Sequence, residues 1–361
     1  MRFHAVSAFA AAMMFTGAVQ ASETRGFVVN WFYPAMYSTT DDCAGGNNPS
    51  AEKLFARILK EQNTPPEEIE KLMQDFPFTF SGKYSNRGVI DGKPVNAYLN
   101  PTSVPDPQIK TSTGKIGYGF NLDGKTGPRD FTDPETKEKG VDNIAARAMG
   151  CYSTLRGDPK NRQIHLSSRW EETRGQMQAW LIEIGGIDDY KNDDDITVTF
   201  FRAKETAYRD NNTDSLADMT FRADHNERSW NVAHGRIKDG LIITDSADIR
   251  MIGDPFHMPK VTFDRARMRF AFQPNGELRG VIGGYMPFTD IYLTLALTGT
   301  LSESMLSIDL PGFYYALRNM ADANPDPKTG MNMSISTTFT VEAVPAYIVH
   351  PEESRVSQSG H

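Results

Sequence analysis

The sequence predicts a mainly β protein, an antiparallel β-sandwich of jelly-roll-like type with a small N-terminal helical hairpin and one or two short later helices. Three observations lead there. From about Gln163 nearly to the end, short apolar runs recur at close spacing, separated by Gly, Asn and Asp turn residues. The segment 196–202, ITVTFFR, is dense in β-branched and aromatic residues. Pro274-Asn275-Gly276 stands as a turn between two such runs.

Taken in order, residues 1–21 read as a signal peptide. Arg2 gives the positive start, an Ala-rich apolar run follows, and Val19-Gln20-Ala21 fits a cleavage site that leaves Ser22 first. A membrane anchor is the poorer reading, because the run is short for a span. Residues 22–110 form an N-terminal segment with the helical hairpin and short strands. Its first strand is GFVVNWFYPAMY, 26–37; Trp31, Phe32 and Tyr33 serve core packing more often than a ligand platform. Leu54, Phe55, Ile58 and Leu59 recur at helical spacing behind Ser50, an N-cap. A second helix starts at Pro65-Pro66 and carries Ile69, Leu72, Met73 and Phe76. Asp91-Gly92 marks a hairpin turn.

Residues 111–350 form the β domain with its acidic loops. A strand is expected at 115–122 and a short helix at 144–155. Further strands are expected at 176–184, 196–202, 219–221, 229–233, 241–244, 247–251, 267–272, 278–282 and 334–341. A late helix is expected at 313–321, and 291–297 fits either a strand or a helix. The polar tail, 351–361, is expected to be disordered.

The formal net charge of −8 argues against a nucleic-acid partner and against electrostatic binding to anionic lipid. No later segment reaches the apolar length of a membrane span. Export to the periplasm or beyond would place Cys43 and Cys151 in an oxidising compartment, so a disulfide is expected. Closing so long a loop is worth about 4–5 kcal/mol on a chain-entropy model. A thiol or metal pair has neither a CxxC nor a nearby His in its favour.

The stretch 117–143, GYGFNLDGKTGPRDFTDPETKEKGVDN, is long, acidic and poor in apolar residues after Leu122. Such a loop needs something to order it, and a cation relieves the repulsion among its carboxylates. The expected Ca2+ ligands here are Asn121, Asp123, Asp142 and Asn143. A second cluster contributes Asp188, Asp189 and Asp193. The structural alternatives are helix capping by Asp142 or Asn143, and a solvated turn at 188–195. The EF-hand pattern fits poorly, because Gly124 comes early and no Glu stands twelfth. Asp133-Pro-Glu-Thr and Asp326-Pro-Lys-Thr both read first as turns.

Catalytic signals are few. HExxH, GxSxG, P-loop, Rossmann and CxxCH motifs are all missing. His225 and His234 flank Trp230 and could meet across a hairpin, although isolated histidines are commoner. Met331 and Met333 could offer thioethers to Cu(I), although methionines more often pack.

The string GFNLDG…DPETKEKGVDN, with the later GIDDYKNDDDITVTFF and LPGFYYALR, resembles a group of exported bacterial proteins that carry a DLDG…G[VI]DN pattern. The resemblance covers most of the chain from about Gly117 and implies export and a shared acidic loop. It implies no activity, and Asn121 stands where Asp is frequent in the pattern.

The expected function is a non-catalytic exported protein, binding or structural, with Ca2+-organised loops and an unidentified protein or glycan ligand. One alternative is an extracytoplasmic carbohydrate-active hydrolase or lyase with structural Ca2+. The other is a periplasmic copper-handling protein using Met331, Met333 and a histidine.

Overall fold

The computed structural model describes residues 22–76, 85–157, 170–172, 174–254 and 258–351. The signal-peptide reading and the polar tail beyond Pro351 lie outside them.

The expected sandwich is replaced by a closed, eight-stranded antiparallel barrel with added strands. Its staves are β1 (Glu23–Pro34), β6 (Gln178–Ile187), β7 (Asn192–Thr206), β9 (Asn231–Lys238), β10 (Leu241–Thr244), β12 (Met258–Phe272), β13 (Leu278–Pro287) and β15 (Asn332–Val349). Two pairings close the sheet: β1 with β15, and β7 with β9. The remaining strands are β2 (Gly88–Ile90), β3 (Lys93–Val95), β4 (Phe131–Thr132), β5 (Lys139–Val141), β8 (Met219–Asp224), β11 (Ala247–Asp254) and β14 (Ala323–Pro325). The physical reason for the correction is strand length. Runs that look short in the sequence belong to strands of 15 residues in β7 and β12 and 18 in β15, long enough to bend and pair on both sides. Register shifts at Val29/Trp31, Asp193/Ile196 and Asp264/Arg267 provide the bends.

Every stave contributes to one core, for example Phe27, Ile182, Val198, Ala233, Ile242, Phe270, Ile282 and Val341. Trp170, Trp180 and Phe32 lie with ring centroids 5.0–5.5 Å apart, so side chains fill the interior, as expected for a barrel of this size. A second closed ring is fused to the first. β8 pairs antiparallel with the end of β7 and parallel with the end of β15, which completes the circuit β1-β6-β7-β8-β15. Its own core takes Val28, Leu181, Phe201, Phe221 and Val344. In the shared strands, successive residues therefore serve different cores.

The helical hairpin is present as α1 (Ala51–Glu61) and α2 (Pro66–Gln74), and Ser50 caps α1 as expected. More helix follows than expected: α3 (Ile144–Met149), then α4 (Phe288–Ala296), α5 (Thr300–Leu306) and α6 (Leu310–Met320). These last four pack together over Tyr152, Tyr292, Leu295 and Phe313. Glu303 ties this layer to β2: Arg87 grips its carboxylate at 2.7 and 3.1 Å and Tyr98 donates at 2.8 Å. Burial pushes Glu303 up to about 6 even against the Arg87 charge. The expected strand at 115–122 is instead irregular, and its β-pairing is confined to isolated bridges at Ile116 and Phe120. Cys43 and Cys151 are disulfide-bonded.

Candidate binding groove on the outer wall of the barrel

The acidic loop, 117–143, is laid against the outer face of β12, β13 and β15. Glycine makes the close approach feasible. A Cβ on Gly283 would stand 2.9 Å from the Phe120 ring, and one on Gly119 would stand 2.8 Å from Thr338 Oγ1. The Phe120 ring lies with the guanidinium groups of Arg267 and Arg269 each 5.2 Å from its centroid. Arg269 also donates to Asp133 at 2.7 Å and to the Gly119 carbonyl at 3.2 Å, in a buried setting. Asp133 Oδ1 accepts from the amides of Glu135 and Thr136. Burial would raise the Asp133 carboxyl, but these amides and the Arg269 charge hold it below the usual range.

The residues expected to bind Ca2+ fall into two places. In the first loop, Asn121 Nδ2 donates to the Lys125 and Lys139 carbonyls, and Asp123 Oδ1 accepts from Lys125 N at 2.8 Å. Asp142 Oδ2 accepts from the amides of Leu122 and Asp123 at 2.7 and 3.3 Å. Burial, helped by the charges of Asp123 and Asp322, pushes Asp142 up to about 7 against those two amides. Asn143 precedes α3 but makes no side-chain cap bond. It is instead a buried clamp: its amide donates to the carbonyls of Ala35 and Tyr118 and its Oδ1 accepts from Thr338 N.

In the second loop, between β6 and β7, Asp193 accepts from the amides of Asp188, Asp189 and Asp195, and Asp189 accepts from Lys191 N. This is the hydrogen-bonding of a self-closed turn. Among the described residues, no group of three or more His, Cys, Asp or Glu is gathered in a way that could hold a metal ion. Met331 Sδ accepts from Arg318 Nε at 3.2 Å, and Met333 is partly exposed. His225 faces His350 rather than His234, which stands exposed on β9.

Beside the seated loop lies a groove of about 320 Å³, walled by Tyr33, Met36, Tyr118, Glu135, Arg269, Gln273, Arg279 and Thr340. Each wall has a structural origin. Arg269 and Arg279 are outward positions of β12 and β13, alternating with the core residues Phe270 and Leu278. Thr340 and Glu342 are outward on β15. Tyr33 donates to Glu342 at 2.7 Å, and Arg279 lies 3.8 Å from the same carboxylate. Tyr118 and Glu135 come from the loop itself. Tyr118 meets Tyr37 edge-on at 5.8 Å, and burial followed by the Glu135 charge pushes its hydroxyl up to about 12. The groove thus offers tyrosine rings beside a carboxylate, a guanidinium and an amide. Sequence reasoning placed Glu135 only within a turn and missed the arginines. Their signal was charge alternating with apolar residues in RARMRF and LRGVIGG, which marks one strand face as polar and outward.

Comparison with family models, curated proteins and solved structures finds no match to the chain.

Proposed function

We propose that this chain is an exported, non-catalytic binding protein that holds a glycan in the groove between the acidic loop and the barrel wall. The observation that carries the reading is the groove's lining. Tyr118, beside the largely buried Tyr33, supplies aromatic surface for the C–H face of a sugar, while Glu135, Arg279 and Gln273 supply hydrogen-bonding groups for hydroxyls. Its volume falls at the lower end of the range for small-ligand sites, which suits one or two sugar rings. Export is supported by the disulfide and by the signal-like start of the chain. Among the described residues no helix is long and apolar enough to cross a membrane.

In this reading the acidic loop serves as a groove wall. Arg269, Asn143 and the loop's own amides order it, which is the task the sequence assigned to Ca2+. The test is a glycan microarray probed with the mature chain and with Tyr118→Ala and Glu135→Gln, in EDTA and in CaCl2. The expected result is a saccharide signal that both variants lose and that EDTA leaves unchanged. Absence of any signal, or equal signals from wild type and Tyr118→Ala, would overturn the groove. Binding lost in EDTA and restored by CaCl2 would return the cation to the loop.

The hydrolase reading has one observation in its favour, the raised carboxyls of Asp142 and Asp322. Each, however, already accepts two hydrogen bonds from its own surroundings: Asp142 from the amides of Leu122 and Asp123, Asp322 from Ser336 N and Oγ. Release of reducing sugar from an array hit, abolished in Asp142→Asn, would favour hydrolysis over binding.

A further inference from the structure

The second ring brings two histidines together for a topological reason. β8 and β15 run parallel, with Ile348 opposite Phe221 and Val349 opposite Arg222, so both strands end on the same side. His225 follows β8 and His350 follows β15. His225 Nε2 lies 3.2 Å from His350 Nδ1. The other nitrogen of His350, Nε2, lies 2.9 Å from Glu183 Oε2 on β6. Trp230 completes the setting, with its ring 4.6 Å from that of His225 and 6.0 Å from that of His350.

The geometry points to a two-histidine site for a divalent transition-metal ion at His225 and His350, with Glu183 orienting His350. Glu183, as a carboxylate, can only accept, so His350 carries its proton on Nε2 and turns the Nδ1 lone pair toward His225. A carboxylate behind a ligating histidine is the usual arrangement in metal sites, where it fixes the tautomer and raises ligand basicity. The spacing also fits. Two nitrogens bound tetrahedrally to one ion at about 2.0–2.1 Å stand roughly 3.3 Å apart. Both rings are solvent-accessible, so water fills the remaining coordination positions and the ion has an open route in. Imidazole ligands favour Cu2+ over Ni2+ and Zn2+ in the usual order of stability. The site is separate from the groove, and it uses neither Met331, Met333 nor His234.

The test is titration of the mature chain with CuSO4, read by tryptophan fluorescence and by the electron paramagnetic resonance spectrum of the bound Cu2+. The expected result is quenching that saturates at one equivalent, with a spectrum showing two imidazole nitrogens. His225→Ala and His350→Ala should each abolish this phase. Glu183→Gln should weaken it about 10–100-fold. His234→Ala should leave it unchanged. Near-ultraviolet circular dichroism confirms that each variant is folded. A wild type that shows no saturable binding, or folded His225→Ala and His350→Ala variants that bind as wild type does, would overturn the site and leave the contact as a hydrogen bond between rings.

Discussion

Two aspartates of the same loop, Asp133 and Asp142, are driven in opposite directions by what meets their oxygens. Asp133 is held low by Glu135 and Thr136 amides and by Arg269, so its contribution to stability is present above the usual carboxylate range and is lost as pH falls below it. Asp142 is pushed up to about 7, mainly by burial. Its contribution is complete below about pH 4 and is lost as pH rises through 7. Asp142→Asn keeps an acceptor for the amides of Leu122 and Asp123 and removes the titration. Urea melts at pH 5 and pH 8 should therefore show the variant gaining on wild type at pH 8, by on the order of a few kcal/mol. An equal difference at both pH values would contradict the burial of this carboxyl. At this scale the sequence was most legible in its turns. Asp133-Pro-Glu-Thr and Asp326-Pro-Lys-Thr fold alike: each Asp Oδ1 accepts the amides two and three residues on, and the fifth residue, Lys137 or Gly330, has positive φ. The roles of Asp133 and Asp326 then diverge, because only Asp133 faces an arginine, and that arginine is 136 residues away. Local pattern encodes the turn; nothing local encodes the partner.

Among the elements, the shared strands explain both the success of the β assignment and the failure of the sandwich. A strand buried on one face alternates, whereas GFVV, AWLI, TFF and EAVPA are nearly continuous apolar runs. Phe27 and Val28, Leu181 and Ile182, and Phe200 and Phe201 divide between the barrel core and the second ring. That signal of two-faced burial was in the sequence, but pairing partners were not, and closure depends on them. The seat of the loop depends on a different element feature, a smooth patch on β13. Gly283→Ala would set a methyl 2.9 Å from both Phe120 and Thr338 Oγ1. The loop would have to lift or the strand shift, at a cost of about 1–3 kcal/mol. Lower stability in urea with faster proteolysis within 117–143 is the expected outcome. A variant as stable and as resistant as wild type would mean that the loop is not seated there.

For the whole molecule, the barrel is a filled scaffold, and the proposed ligand groove lies on its outside. Rings occupy the interior, helices α3 to α6 form a separate apolar layer, and the disulfide joins the segment after β1 to the end of α3. The proposed groove lies at the wall where arginines of β12 and β13, tyrosines of β1 and the loop, and Glu135 converge. No single stretch of sequence contains that convergence, which is why the acidic loop was legible as important and its groove was not. Hydrogen–deuterium exchange of the chain from Ser22, with and without the saccharide that gives the strongest array signal, tests the proposed groove most directly. Protection concentrated in peptides spanning 118–135 and 269–281 is the predicted result. Protection confined to the helical layer or the second ring, with these peptides unchanged, would contradict it.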